Sequence, residues 1–250
     1  YDAGIPVILF DRKTDSKKYT AFIGADNYEA GHEMGLFIAQ QLGGKGSVVE
    51  IGGLKGSSPA IERDRGFTEA LKAYPDIKIV GRYYADWQEE RGAAVMDSFL
   101  AQGVKIDYVF GQNDRIAAGV RKLAMKRGEK AIKFVGIDAL PVAGGGMEDV
   151  RDDRLVASYI YPTRGDLVMQ LALNILEKKP FHRDNYLKGT LVTIDNANAL
   201  LLQNEEIMKQ TVRLQSLHGK VDNYLAQYNH QKVYFLLFSI IVILVIGILV

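Results

Sequence analysis

The chain is a succession of short apolar runs. Each is followed by one or two polar residues and then by an apolar stripe at helical spacing. Ile5-Pro6-Val7-Ile8-Leu9-Phe10 predicts a strand ending at Asp11-Arg12, with Pro6 tolerated near its beginning. Thr20 to Ala25 predicts the next strand, closed by Asp26-Asn27. A helix from about Tyr28 to Leu42 follows, striped by Ala30, Met34, Phe37 and Ile38 and stopped at Gly43 to Gly46. Ser47 to Ile51 is a strand, residues 52–58 a glycine-rich loop, and Pro59 to Tyr74 a helix with Ile61, Phe67, Ala70 and Leu71 on its buried face. Ile77 to Tyr83 is a strand ending near Ala85-Asp86-Trp87, and Glu89 to Gln102 is a helix. Tyr108 to Phe110 is a strand, with Asp114 as N-cap of a helix to about Arg127. Phe134 to Ile137 ends at Asp138, Gly144 to Gly146 form a loop, and Leu155 to Ile160 ends at Tyr161-Pro162. A helix over about Asp166 to Lys178 and a last strand, Leu191 to Ile194, complete the alternation. Such alternation predicts a parallel, doubly wound α/β architecture.

In such sheets ligands bind beyond the carboxyl ends of the strands. The polar or aromatic residues there are Asp11, Arg12, Trp87, Asn113, Asp138 and Tyr161, joined by Arg63 early in the helix after the glycine loop. Every sugar hydroxyl both donates and accepts, so carboxylates, an amide and guanidinium groups suit it, while an aromatic plane suits its C–H face. Plainer readings stand beside this one. Asn113 and Asp114 turn the chain and cap a helix in any α/β protein, and a lone tryptophan is usually core. The glycine-rich loop has neither of the phosphate-binding spacings, so it reads as a close approach of backbone to a ligand or a neighbouring lobe.

Composition narrows the classes. The 250 residues suffice for two modest lobes, and a net charge of +1 argues against nucleic acid. Cysteine is absent, which excludes disulfides and thiolate chemistry, and His32, His182, His218 and His230 lack metal-ligand spacing. No cofactor or metal is expected. Tyr1 is not a methionine and the first strand begins at Ile5, so the chain reads as a fragment whose beginning has been removed.

The order of motifs resembles the sugar-binding type I periplasmic binding proteins, of the ribose-binding-protein and lactose-repressor kind. The matching runs are Ile5 to Arg12, Gly24-Ala25-Asp26-Asn27, Ala60 to Phe67, Ala85-Asp86-Trp87, Gly111-Gln112-Asn113-Asp114, Val135-Gly136-Ile137-Asp138 and Ala157 to Pro162. The resemblance covers about residues 1–200. It implies two lobes joined by crossover segments around a ligand cleft, with the first lobe incomplete. Its sugar ligands fall on Asp11, Arg12, Arg63, Asn113 and Asp138, and its cleft aromatic on Trp87. Its usual glutamine near the last crossover falls on Tyr161, a departure. Residues 1–25 and 161–190 would form the N-terminal lobe, and 26–160 with 191–200 the C-terminal lobe.

Beyond Asn198 the pattern changes. Ile207, Leu214, Val221 and Tyr228 recur every seven residues, with Leu217 and Tyr224 between them and Gln210 interrupting the seam. Residues 201–232 therefore read as a coiled-coil-like stalk supporting a homodimer, or as a single amphipathic helix packed on the lobe. Val233 to Val250 has no charged residue; at ~1.5 Å per residue it reaches about 27 Å, near the ~30 Å hydrocarbon core of a bilayer. It is expected to be a transmembrane helix, with residues 1–232 on the periplasmic side of the inner membrane. A binding domain, stalk and span together resemble the extracytoplasmic sensor of a hybrid two-component histidine kinase, with no catalysis in this stretch. The alternatives are a tethered binding protein that delivers sugar to a transporter, and a glycosidase using Asp11 and Asp138 as paired carboxylates, which requires a defined separation.

Overall fold

The computed structural model describes residues 1–249, and the side-chain surroundings of residues 1–243. The chain forms two compact units, Tyr1–Leu201 and Leu202–Val250. In the first unit the strands are β1 (Ile8–Phe10), β2 (Ala21–Ala25), β3 (Lys45–Gly52), β4 (Asp76–Tyr84), β5 (Tyr108–Gly111), β6 (Lys133–Val135), β7 (Ala157–Tyr159), β8 (Asp184–Leu187) and β9 (Leu191–Thr193). The helices are α1 (Asn27–Gln41), α2 (Ser58–Leu71), α3 (Glu89–Leu100), α4 (Asp114–Arg127), α5 (Gly146–Arg151) and α6 (Gly165–Leu176), and α7 runs over Ile194–Leu249.

Two sheets result. One has the order β4-β3-β5-β6-β7-β9 and is parallel except for β9, which runs antiparallel to β7. The other has the order β1-β2-β8 and is parallel throughout. The larger sheet is covered on both faces, which explains why its strands read as continuous apolar runs. Alternation divides their side chains. Val49, Ile51, Val109 and Phe134 enter the core with α3 and α4, while Val48, Tyr108, Phe110 and Val135 enter the core with α1 and α2. The smaller sheet packs Ala21 and Ile23 against Leu171 of α6.

Helices α1 and α2 approach at backbone distance. A Cβ on Gly31 would strike the Arg63 carbonyl, and one on Gly66 the Tyr28 carbonyl. This contact fixes where α2 carries Arg63.

Several expectations need correction. Ile61 is 54% exposed; Ala60 and Arg63 are the buried residues on that part of α2, because the close approach of α1 and α2 at Gly31 and Gly66 sets its rotation. The N-cap of α4 is Asn113, whose side chain accepts from the Ile116 N–H, so Asp114 is the first helical residue. The glycine loop at 144–146 opens directly into α5. Strand β8 carries alternating polar residues and a weak apolar signal, and was not expected. The last strand is antiparallel, an exception to the all-parallel expectation.

In the second unit α7 is helical throughout its described length, and Ile207, Leu214, Leu217, Val221, Tyr224 and Tyr228 are all exposed. Among the described residues no helix is long and apolar enough to cross a membrane. Residues 244–250 of the expected span lie outside those whose side chains are described.

Candidate functional site

One cavity of about 170 Å³ is lined by Asp11, Arg12, Pro59, Arg63, Trp87, Asn113, Asp138 and Tyr161. Every residue expected from the sequence to touch ligand therefore meets the others at one place, with Pro59 added. The contributing elements are the ends of both sheets and the first turns of α2. Asp11 and Arg12 follow β1, Trp87 follows β4, Asn113 follows β5, Asp138 follows β6, and Tyr161 follows β7.

Arg63 is the centre of the site. It is 3% exposed. Its Nε donates to Asn27 Oδ1 at 2.9 Å, and its Nη1 donates to the Gln112 carbonyl. The guanidinium carbon lies 5.4 Å from the Trp87 ring centroid and 4.8 Å from that of Tyr161, within cation–π range of both. Two aromatic rings, each just past the end of a different strand of the larger sheet, thus hold one planar cation, and its orientation is fixed before any ligand arrives.

A buried network supports it. Gln112 Nε2 donates to Glu50 Oε1 at 2.9 Å and to the Ala60 carbonyl at 3.1 Å, while Gln112 Oε1 accepts from the Gly53 N–H at 3.0 Å. Arg82 Nε donates to Glu50 Oε2 at 3.1 Å. Burial pushes the Glu50 carboxyl up to about 7, aided by the neighbouring Asp64 charge. Trp87 needs Gly53, since a Cβ there would overlap the indole ring. The glycine-rich loop therefore admits a side chain of the site itself.

The two carboxylates differ. Asp11 Oδ1 accepts from the Tyr161 hydroxyl at 2.6 Å, and its Oδ2 lies 3.7 Å from Arg12 Nε. Burial, reinforced by the bond to Asp11, pushes the Tyr161 phenol up to about 12. Asp138 lies close to Arg63, whose charge lowers its pKa, but burial outweighs this and pushes it up to about 6. Asp114, behind it, accepts from Ser158 Oγ at 2.6 Å and from the Ala139 N–H at 2.7 Å; burial pushes it up to about 7. Asn113 lines the cavity with its amide engaged. Oδ1 accepts from Ile116 N at 2.9 Å, and Nδ2 lies 3.4 Å from the Trp87 carbonyl.

Backbone strain collects here. Asp11 (φ 68°), Trp87 (φ 65°) and Asp138 (φ 127°) all occupy the left-handed region that favours glycine. Each such residue costs on the order of 1–3 kcal/mol and is retained where its side chain must point in one direction. Sequence reasoning missed Asn27, Glu50, Pro59 and Ser158. The three polar ones are buried supports whose signal was an unexplained polar residue inside or beside an apolar element.

The comparisons with known proteins bear on the family and the fold. The periplasmic binding protein domain family matches residues 1–180. The ribose import binding protein of Escherichia coli (strain K12) is 31% identical over 190 residues, covering 76% of this chain and 60% of its own length. The chain thus spans about 60% of that relative. Among solved structures, the fructose-binding periplasmic domain of a hybrid two-component system is 48% identical, with a TM-score of 0.86 over 88% of this chain and 74% of that one. A galactofuranose-binding protein is 30% identical, with a TM-score of 0.74 over 82% of this chain and 72% of that one. With its parallel sheets, its strand-end site and these relatives, the chain belongs to the periplasmic binding protein domain family, with the type I α/β fold.

Proposed function

We propose that this chain is the sugar-sensing, extracytoplasmic part of a membrane receptor of the two-component histidine kinase kind. The carrying observation is Arg63 held between Trp87 and Tyr161, in a cavity that also presents Asp11, Arg12, Asn113 and Asp138. The guanidinium and the carboxylates bind ring hydroxyls, and the aromatic edges meet the C–H face. Fructose, ribose and galactofuranose, named for relatives, are the first candidates.

Sugar then bridges two lobes, one built on β1-β2-β8 and the other on the larger sheet. It favours their closed arrangement by its differential affinity for that state. The exposed seam of α7 pairs with a second copy, and Val233 to Val250, without a charged residue, anchors the chain in the bilayer. Calorimetry of the full chain with those sugars tests the reading. A saturable one-site isotherm with one of them, lost in Arg63→Ala, is the expected result, and no binding by any of them overturns it. The second reading, a tethered protein that hands sugar to a transporter, is favoured by the ribose import relative. A sugar-dependent change in autophosphorylation of the full-length protein separates the two.

A further inference from the structure

A second and larger cavity, about 530 Å³, lies on the other side of Asp138. It falls within the range that small organic ligands occupy, roughly 300–1,000 Å³. Its walls are of two kinds. Ala118, Leu140, Val142 and Leu155 make an apolar side, and Arg115 and Arg121 of α4 make a cationic one.

Its charges are not equivalent. Lys122 is paired with Glu89, and Arg154 with Asp149 at 2.5 Å. Asp114 turns its oxygens to Ser158 and the Ala139 N–H, and burial keeps it partly protonated near neutral pH. Asp138 is shared with the sugar cavity. What remains is Arg121 and Arg115, neither of which makes a hydrogen bond or an ion pair among the described residues, although the Arg115 charge acts on Asp138. They stand six positions apart on α4, with Ala118 between them, and both side chains line this one cavity. Guanidinium forks match carboxylate and phosphate oxygens in a way that isolated ammonium groups do not.

We infer that this second cavity binds a small organic oxyanion, a carboxylate or phosphomonoester carrying an apolar body. The oxyanion meets Arg115 and Arg121, and the body lies against Leu140, Val142 and Leu155. The inference does not rest on the sugar reading, although the two cavities share Asp138.

Phenyl phosphate, which has both parts, is the probe, with inorganic phosphate and phenol as controls lacking one part each. Titration calorimetry of the full chain should give one saturable site for phenyl phosphate, with each control at least about tenfold weaker. Arg121→Gln should weaken phenyl phosphate by about fivefold or more and Arg115→Gln/Arg121→Gln further, with an unchanged thermal melt. Ala118→Phe, which fills the apolar side and keeps both guanidinium groups, should abolish binding. Absence of saturable phenyl phosphate binding overturns the inference. So does binding that survives Ala118→Phe, or, in folded protein, the paired arginine substitutions.

Discussion

The Tyr161 hydroxyl donates to Asp11 Oδ1 at 2.6 Å across 150 positions of sequence. The bond ties the end of the small sheet to the end of β7 in the large one, and the second Asp11 oxygen lies 3.7 Å from Arg12 Nε. It is worth about 1 kcal/mol, at the low end for a carboxylate acceptor because the Asp11 side chain is 40% exposed. Tyr161→Phe is therefore expected to lower sugar affinity by up to about tenfold while keeping the ring against Arg63. Calorimetry with the cognate sugar reads this directly. An unchanged dissociation constant would remove Tyr161 from the orientation of Asp11.

Asp138 and Arg63 should separate stability from binding. Asp138 holds a raised pKa, and its side chain makes no hydrogen bond among the described residues. Asp138→Ala should cost about one to two decades of sugar affinity, with a melting temperature equal to or above the parent's. Arg63→Ala should lose both, because the guanidinium also satisfies Asn27 and the Gln112 carbonyl inside the protein. Parallel melts and titrations check the pair. A large drop in melting temperature for Asp138→Ala would show that its carboxylate is structural.

The raised carboxyls set a pH dependence with a definite sign. Glu50 and Asp114 sit at about 7 and Asp138 at about 6, above their ordinary values of 4.5 and 3.8. Over this window the folded chain binds more protons than the unfolded one, so stability is full below about pH 4 for these groups and is lost as pH rises to about 7. The lowered carboxyls of Asp107, Asp166 and Asp184 act in the opposite sense, below this window. Denaturant unfolding of the sugar-free protein should give higher stability near pH 5 than near pH 8. Asp114→Asn should reduce the slope by up to about 1.4 kcal/mol per pH unit. A slope that Asp114→Asn leaves untouched would contradict the assignment.

Trp87 is the only tryptophan, so its emission reports the site without labels. Gly53→Ala places a methyl group where the indole ring lies. The ring must move, its contact with Arg63 opens, and both the emission maximum and the sugar affinity should change while the far-ultraviolet circular dichroism stays the same. Unchanged emission would mean that the loop, and not the ring, yields.

Leu200 and Leu201 pack on the large core, and Ala197 is fully buried there. On the receptor reading proposed above, a flexible Gly/Ser insertion between Leu201 and Asn204 should therefore spare sugar affinity and abolish the sugar-dependent output of the full-length protein. Output of the parent's amplitude in the insertion variant would exclude transmission through a continuous α7.

Much of this was legible in the chain. The buried strands show as uninterrupted apolar runs because both faces of the large sheet are covered, and the site residues show because polar side chains stand where each run stops. Strand β8 was invisible for the opposite reason. Asp184, Asn185 and Tyr186 lie in a small sheet, where alternation with exposure erases the apolar signal. Residues that act through others were equally hidden. Glu50 and Ser158 look like flaws in apolar strands until Gln112 and Asp114 are seen to need them. The rotation of α2 depends on two glycines touching carbonyls of a helix distant in sequence, which helical spacing alone does not encode.

The left-handed backbone at Asp11, Trp87 and Asp138 bears on how this protein can be altered. On conformational grounds alone, glycine is the more comfortable occupant of such angles. A campaign that selects only for heat resistance would therefore drift towards glycine at these positions. It would recover a sturdier protein that has gone blind to its ligand. Libraries aimed at new sugar specificities should hold these backbone angles fixed and vary the side chains that surround them.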